Sequence, residues 1–258
     1  MEEITAMGKV IAFMNMKGGV SKTSSSLLLS YGLKSRGFKI LLIDMDSQRN
    51  LSRAVGAETN NVPTTMELLL GEVSAEKSIQ HLESFDIIPS RKELASIEPL
   101  LPLSGRLKKL KKSLDSVKNN YDYVVVDTPP NLGVLSVNSL VAADQVIIPT
   151  VGSAFSIEGL VDLLRVISDV QEDENPDLVI AGVLISIFNP RTNLARDLAV
   201  SINDLSDKYG IKTYSSKIRQ STFIPESQLF KFDPFVEDPK NIAVIDFNKF
   251  IDEFLGGK

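Results

Sequence analysis

The sequence contains no cysteine and no tryptophan, and it has one histidine among its 258 residues. The lack of cysteine excludes disulfides, thiolate zinc sites, cysteine-ligated iron–sulfur clusters and a cysteine nucleophile. The single histidine, His81, is interpreted as an exposed or half-buried helix residue and argues against a metal centre with several imidazole ligands. The longest unbroken apolar runs are about five residues, whereas a membrane-spanning helix needs roughly 20.

The net charge of −5 gives the chain no general attraction to nucleic acid or to anionic membranes. Its first residues, Met1-Glu2-Glu3, are acidic, whereas a secretory signal is basic and then continuously apolar. With 43% hydrophobic and 24% charged residues, the chain can bury a substantial core. Composition therefore predicts a soluble, cytoplasmic protein without a membrane partner, folded as one domain over residues 1–258.

Short apolar segments alternate with longer amphipathic ones along the whole chain. Strands are predicted at 9–14, 39–43, 85–88, 123–126, 145–149, 179–188 and 213–218. Helices are predicted at 24–34, 104–118, 136–143, 157–170, 194–208 and 241–255, and surface loops at 62–65 and 172–176. Runs such as Val124-Val125-Val126 lack polar alternation, which is typical of parallel strands buried on both faces. The pattern predicts an α/β fold: a mostly parallel twisted sheet with helices on both faces.

A glycine-containing segment follows the first predicted strand and leads at once into a helical segment. The general phosphate-loop pattern G-x-x-x-x-G-K-[ST] is not matched, but the variant K-G-G-x-x-K-[ST] is. In such a turn, backbone N–H groups, the helix dipole and a lysine converge on phosphate oxygens. Gly18 and Gly19 allow close approach of the backbone, Lys22 is placed to reach the β and γ phosphates, and the Thr23 hydroxyl can bind Mg²⁺. The predicted nucleotide-binding residues of this loop are Lys17, Gly18, Gly19, Val20, Ser21, Lys22, Thr23 and Ser24.

Three aspartates follow predicted strands at the edge where ligands of open α/β sheets bind. Asp44 and Asp46 end the second strand, and Asp127 ends the strand at 123–126. Asp127 fits the Walker B role of holding Mg²⁺, directly or through water. Asp46 is predicted to position or activate the attacking water, and Asp44 to support the Mg²⁺ shell.

Together these segments resemble the ParA/MinD superfamily of deviant Walker A ATPases, and within it the small ParA (Soj-like) DNA-partition proteins. The resemblance covers nearly the whole chain and is carried by the K-G-G-x-x-K-T loop, the D-x-D-x-Q strand end, and D-T-P-P-N-L-G with the following N-S-L-V-A-A-D. Three positions depart from the family pattern. Ser21 stands where a glycine is usual, Arg219 lacks the preceding proline, and Thr222 stands where a second cation is often found.

The resemblance implies an ATPase that uses ATP and Mg²⁺, forms a homodimer when ATP is bound, and is stimulated by a ParB-like partner. It also implies that Lys17 reaches across that dimer onto the partner's phosphates, which makes Lys17 a catalytic candidate beside Asp46 and Asp44. Asn189 lies in the region that approaches the adenine in this superfamily and is a predicted base contact. The implied location is the cytoplasm, in association with the nucleoid.

Non-specific binding to double-stranded DNA is the least direct expectation, because the chain as a whole is acidic. Residues 191–231 carry seven Lys/Arg against four Asp/Glu, and the predicted DNA contacts there are Arg196, Lys217 and Arg219. The segment 106–112 has five cations in seven residues. Its simplest interpretation is an amphipathic helix with a solvated basic face, and it is the alternative surface for DNA.

Two other functions remain open on the same scaffold. A MinD-like membrane-positioning ATPase would need a terminal basic amphipathic helix, whereas the segment 250–258 is short and acidic and its apolar residues suit core packing. An ATP-dependent carboxylate-activating synthetase would need a second set of charged substrate-binding residues, which the sequence does not reveal.

Overall fold

One seven-stranded sheet organises the computed structural model, which describes residues 8–152 and 155–256. Its strands are β1 (Lys9–Phe13), β2 (Ile40–Asp44), β3 (Gln80–His81), β4 (Asp86–Ile88), β5 (Tyr123–Asp127), β6 (Gln145–Val151) and β7 (Val179–Ser186). They are ordered β3-β4-β2-β5-β1-β6-β7 across the sheet, with every pair parallel except β3 and β4. The predicted mostly parallel α/β fold is therefore confirmed.

The helices connect these strands and vary widely in length. They are α1 (Lys22–Lys34), α2 (Asn50–Val55), α3 (Thr65–Leu70), α4 (Ala75–Ser78), α5 (Lys109–Leu114), α6 (Val134–Ala142), α7 (Phe155–Asp173), α8 (Asn193–Lys208), α9 (Phe223–Phe230), α10 (Pro234–Glu237) and α11 (Ile242–Phe254). Short 3₁₀ helices span Lys92–Ser96, Glu98–Leu100, Arg106–Lys108 and Lys118–Asn120. In the described part of the chain, no helix combines the length and apolar character needed to cross a membrane.

Successive residues of a strand point to opposite faces, so the central strands contribute to two apolar layers. Val10 and Ala12 of β1 pack in the layer that contains residues of α3, α5, α6 and α7. Ile11 and Phe13 pack in the opposite layer, with residues of α1, α2, α9 and α11. All five residues of β2 and all five of β5 are buried, as expected for parallel strands covered on both sides.

The assignment of one domain to residues 1–258, including Met1-Glu2-Glu3, stays a prediction because residues 1–7, 153–154 and 257–258 lie outside the described part.

The prediction of a surface loop at 62–65 is wrong for Thr64 and Thr65, where α3 begins. Thr64 and Thr65 are fully buried, and Thr64 is the N-cap of α3. Its side chain accepts a hydrogen bond from the Met66 N–H, while Glu67 accepts one from the Thr64 N–H at 2.9 Å. This capping box satisfies backbone donors that the helix leaves unpaired, and it explains why a helix starts directly after Pro63.

Two predicted helical assignments also need correction. Only 109–114 of the predicted helix at 104–118 is α-helical, because Gly105 in the left-handed region (φ 69°) starts a 3₁₀ turn before it. His81 lies in β3 rather than in a helix, and its ring is exposed and bonded to Asp86 at 2.7 Å. The loop predicted at 172–176 begins late, since α7 continues to Asp173.

The strand predicted at 213–218 is absent from the described sheet, and Glu253 of α11 supplies the reason. This segment touches β7 and the residues after it through two isolated bridges, Val183 to Thr213 and Phe188 to Arg219. Between them, the backbone N–H groups of Ser215 and Ser216 donate to the Glu253 carboxylate at 3.0–3.3 Å. A carboxylate that takes these donors prevents the continuous ladder that a strand requires.

Gly182 allows the 212–214 segment to approach β7 closely. Its φ of +148° lies in the region that favours glycine, and it lies beside an irregularity in the β6–β7 register. A Cβ at this position would lie 2.8 Å from the Tyr214 ring and 2.9 Å from the carbonyl oxygen of Lys212. The backbone there leaves no room for a side chain.

We therefore expect Gly182→Ala to lower the free energy of unfolding by about 2 kcal/mol, because the new methyl group meets backbone and the conformation is strained. Gly159→Ala is the matched control, since no atom lies within 4 Å of a Cβ built in that helix. It should be neutral or raise stability by up to about 1 kcal/mol. Urea denaturation of both variants measures the difference, and equal stabilities would contradict the packing argument.

Candidate functional site

Short hydrogen bonds tie the carboxyl ends of β1, β2 and β5 into one edge. The Thr128 hydroxyl donates to the carbonyl of Phe13 at 2.6 Å, and the Met45 N–H donates to the carbonyl of Asp127 at 2.9 Å. Because β5 lies between β1 and β2, the segments that follow all three strands meet there. The sheet order thus brings the predicted phosphate loop and the predicted aspartates together.

The loop between β1 and α1 is anchored by hydrogen bonds and has open space next to its two glycines. Asn15 donates to the carbonyl of Pro149 at 2.7 Å and accepts the Lys17 N–H at 2.9 Å. Lys22 Nζ donates to the Lys17 carbonyl at 3.1 Å and closes the loop on itself. No atom lies within 4 Å of a Cβ built on Gly18 or Gly19. This open surface above two glycines is the cradle that a phosphate group needs.

Ser21 occupies the position where the loop turns into α1, and it has a left-handed backbone (φ 65°, ψ 27°). That conformation costs an L-residue about 1 kcal/mol or more, whereas a glycine would adopt it without this penalty. The Ser21 side chain does not cap α1, and the first turn of the helix contains no acidic residue. The N-terminal N–H groups and the positive end of the helix dipole are therefore available to an anion.

The side chains at the start of α1 differ in burial and in hydrogen-bond partners. Lys22 is 8% exposed, and burial lowers its pKa while the carboxylates of Asp127 and Asp46 oppose that effect. The Thr23 hydroxyl donates to Asp127 Oδ2 at 2.6 Å. Val20 is buried, and its role in nucleotide binding stays a prediction. The Ser24 hydroxyl accepts from the Gln228 amide of α9 at 2.9 Å, so α9 touches the first turn of α1.

Asp127 is fully buried, yet only one of its oxygens is satisfied. Its Oδ1 has no hydrogen-bond donor among the described residues. Burial and the neighbouring charge of Asp44 raise the pKa of Asp127 well above its usual range. An unpaired buried carboxylate oxygen next to a threonine hydroxyl fits a hard divalent cation such as Mg²⁺. No three acidic or histidine side chains gather into a metal cage within residues 8–152 and 155–256, so phosphate and water oxygens would complete the shell.

Asp44 has its oxygens engaged elsewhere. Oδ2 accepts the Ser52 N–H at 2.9 Å and the Ser52 hydroxyl at 2.7 Å, and Oδ1 accepts the Asp46 N–H at 3.0 Å. Burial raises the pKa of Asp44, and these hydrogen bonds oppose the rise. Asp44 therefore caps the first turn of α2 and orients Asp46. This geometry gives it a positioning role behind the predicted Mg²⁺ shell.

Asp46 reaches the cavity above the loop, whose volume is about 470 Å³. Its Oδ1 accepts the Gln48 N–H at 2.9 Å, and burial raises its pKa against the opposing charge of Lys22. Sequence analysis missed several other residues of the cavity wall. They are Gln48, Asn50, Arg53, Ala54, Pro130, Gln228 and Leu229. Arg53 lies in the first turn of α2, shortly after the D-x-D-x-Q motif. Its place in the cavity wall depends on a helix starting at Asn50, which the sequence did not predict.

The predicted adenine contact, Asn189, does not line the 470 Å³ cavity above the loop. Its Oδ1 accepts the Arg191 N–H at 3.1 Å, and the residue is exposed. A second cavity of about 200 Å³ opens beside Ser21 and Ser24 and is walled by Ile187 and residues of the 218–225 segment. The role of Asn189 therefore stays a prediction. The second cavity is the better candidate for the site that would hold the adenine base.

The three predicted DNA contacts have different surroundings. Arg219 forms a two-pronged ion pair with Asp246, with Nε to Oδ2 at 2.7 Å and NH2 to Oδ1 at 2.6 Å. Lys217 Nζ lies over the Phe188 ring, 5.9 Å from its centroid. Arg196 is exposed and donates to Asn193 one turn earlier on α8. The structure does not bring these three cations into one unpaired cluster.

Comparisons with known proteins agree with this geometry. A family model described as an AAA domain matches residues 8–180. The sporulation initiation inhibitor protein Soj of Bacillus subtilis is 35% identical over 239 residues, which cover 91% of this chain and 93% of Soj. The chromosome partitioning protein ParA of Caulobacter vibrioides is 34% identical over 228 residues, covering 86% of this chain and 84% of that protein. A structure named cobyrinic acid a,c-diamide synthase from Mycobacterium smegmatis, with ADP and magnesium, has a TM-score of 0.83 at 31% identity and covers 96% of this chain and 94% of that one.

A parallel sheet with a phosphate loop after β1 and carboxylates at the ends of β2 and β5 defines a P-loop nucleotide-binding protein of the α/β class. The similarity over nine tenths of the chain then places it more narrowly. The chain belongs to the ParA/MinD family of P-loop ATPases. The predicted family is confirmed.

The two central aspartates should respond oppositely to neutral substitution. Asp44→Asn places an amide donor against an N–H donor and should lower the free energy of unfolding by about 1–3 kcal/mol. Asp127→Asn keeps an acceptor for Thr23 and removes a buried charge with an unsatisfied oxygen, so it should leave stability unchanged or raise it. Chemical denaturation without nucleotide or magnesium measures both. Equal losses would contradict the different roles assigned to the two side chains.

Proposed function

We propose that the chain is an ATP-dependent DNA-partition ATPase that dimerises on ATP, binds duplex DNA without sequence specificity and hydrolyses ATP when a ParB-like partner stimulates it. The observation that carries this proposal is the deviant loop itself, with Lys17 and Lys22 at one strand end beside Asp46 and Asp127 at the neighbouring ends. The names of the relatives, Soj and chromosome partitioning protein ParA, support the partition role.

The cofactors of this reaction are ATP and Mg²⁺. The M. smegmatis neighbour was crystallised with ADP and magnesium, and the orphaned oxygen of Asp127 fits the cation. When bound, Mg²⁺ neutralises charge on the phosphates and favours phosphoryl transfer. Thr23 and Asp127 would hold it, while Lys22 and the first N–H groups of α1 bind phosphate oxygens. Asp46 accepts a hydrogen bond from the attacking water and orients it, and Asp44 keeps the Asp46 backbone in place.

Lys17 acts across the dimer in this proposal. Within one subunit, Lys22 already turns toward the loop, and its Nζ contacts the Lys17 carbonyl. Lys17 is half-buried at the head of the loop, outside the wall of the 470 Å³ cavity of its own subunit. A cation supplied by a second subunit stabilises charge in the transition state in the manner of an arginine finger. The proposed site of action is the cytoplasm, on nucleoid DNA.

The two alternative functions have less support. A membrane-positioning role needs a free amphipathic helix, but Phe247, Phe250 and Ile251 of α11 are buried in the core. A carboxylate-activating synthetase is suggested by the name of the M. smegmatis structure. Turnover that requires a carboxylic acid and a nitrogen donor, rather than DNA and a partner, would favour that alternative.

The direct test is ATP turnover with and without non-specific duplex DNA, with the oligomeric state followed by sedimentation. The proposal expects ATP to convert a monomer into a dimer, and DNA with a centromere-binding partner to accelerate turnover. A monomer in saturating ATP that ignores DNA would contradict it.

Asp46→Asn should reduce turnover at least a hundredfold, because the amide cannot accept a proton from the attacking water. ATP binding should be retained, so the ATP-bound dimer should accumulate. Phosphate release and sedimentation measure the two effects, and Glu93→Gln, at an exposed carboxylate, serves as the control. Normal turnover in Asp46→Asn would refute the assignment.

Lys17→Ala should abolish ATP-dependent dimerisation and lower turnover at least a hundredfold, since the partner's phosphates lose their cross-subunit cation. The monomer should still bind ATP, because Lys22 and the α1 N-terminus remain. Equilibrium binding separates this result from a general loss of affinity. A variant that dimerises normally with ATP would exclude the cross-subunit role.

A further inference from the structure

The cations of the 191–231 region are partly neutralised by α11. Arg219 is paired with Asp246, and Lys212 lies 3.4 Å from Glu253. Ion pairs of this kind reduce the charge that a surface offers to phosphates. The net-positive count of this region in the sequence therefore overstates its attraction for DNA.

The segment around α5 has the opposite character. Residues 101–118 contain six cations and one carboxylate. Lys108, which directly precedes α5, and Lys111 and Lys112 within it are exposed and follow one another at three- and four-residue spacing. They are here called the α5 basic face. Lys108 pairs with Glu174 at 3.0 Å, whereas neither Lys111 nor Lys112 has an ion-pair partner among the described residues.

The basic face is held rigidly from beneath. Leu110 and Leu114 are buried in the core, and Asn138 of α6 is fully buried below the start of α5. The Asn138 side chain accepts the Leu110 N–H at 3.2 Å and donates to the carbonyl of Arg106 at 2.8 Å. Lys108 precedes Lys111 and Lys112 by three and four residues, and like charges at these spacings repel by a few tenths of a kcal/mol. Asp115, the one carboxylate of the segment, lies 3.2 Å from Lys118. A bound polyanion would relieve the repulsion among the lysines.

We propose that the α5 basic face binds the phosphate backbone of duplex DNA. This inference rests on the proposed function and assigns the DNA surface of the same protein. Lysines offer compact charges on flexible stems and suit contacts with phosphates, which position a duplex without reading its sequence. Residues 106–114 contain no aromatic side chain on which a base could stack. Within the structure, α5 is joined through Asn138 to α6, which follows the loop that carries Pro130 beside Asp46.

The test is a salt titration of a fluorescently labelled, random-sequence duplex with the full chain, ATP and Mg²⁺. The slope of log affinity against log salt is negative, and each lost phosphate contact reduces its magnitude by about 0.9. The double variant Lys111→Gln/Lys112→Gln should therefore reduce that magnitude by about 2 and weaken binding at least tenfold at low salt. Lys240→Gln/Lys249→Gln is the matched control, because it removes the same charge from exposed lysines of the C-terminal region. Urea denaturation should show that both double variants fold like the wild type.

Three results would overturn the inference. Wild-type binding with an unchanged slope in the α5 variant would move the surface elsewhere and leave the partition proposal standing. No binding by the wild-type ATP dimer at any salt would overturn both. Leu103, 86% exposed and five residues before Lys108 in the sequence, would also suit a protein partner. If the α5 variant loses binding to poly-glutamate but keeps duplex binding, the face serves an acidic protein instead.

Discussion

Two carboxylates buried side by side at the end of β2 and β5 are the constraint around which this molecule is arranged. Asp44 and Asp127 are register neighbours with no exposed surface, so each raises the electrostatic cost of the other. The fold satisfies one of them completely, through Ser52 and the backbone of Asp46. The other keeps an oxygen without a donor in the described part of the chain. That asymmetry divides a destabilising pair into one structural residue and one proposed ligand for Mg²⁺.

The same division of labour appears at the two helices that start beside this edge. Ser21 and Arg49 both precede a helix in a left-handed conformation, and neither side chain caps the helix that follows. In α2 the missing cap is replaced by Asp44, which accepts the Ser52 N–H. In α1 no carboxylate takes that place among the described residues, and the first turn stays open toward the cavity. The backbone strain at Ser21 thus coincides with the proposed phosphate-binding loop, as strained backbone often does at functional sites.

Sequence reasoning succeeded where one physical signal dominated. Unbroken apolar runs such as Val124-Val125-Val126 identified buried strands. The loop motif correctly predicted that Lys22 and Thr23 lie beside Asp127. It failed where a distant partner decides the outcome. The Glu253 carboxylate competes for the N–H groups of Ser215 and Ser216, and Asp246 neutralises Arg219, although both acids lie over 25 residues away. Short helices such as α2, α9 and α10 carry too few turns for a periodic pattern, so Arg53 and Gln228 could not be assigned to the cavity.

In the described part of the chain, both edges of the sheet offer little to a further strand. At one edge, β3 contains two residues and runs antiparallel to β4, which leaves little ladder for another chain to join. At the other, the 212–219 segment lies against Gly182 and Val183 of β7 and against Phe188 beyond it, without itself forming a regular strand. Edge-to-edge pairing, the common route from an exposed sheet to aggregation, is therefore disfavoured at both edges. Contacts between two copies through loops and helices would depend on the order of those loops, and so on whatever binds them.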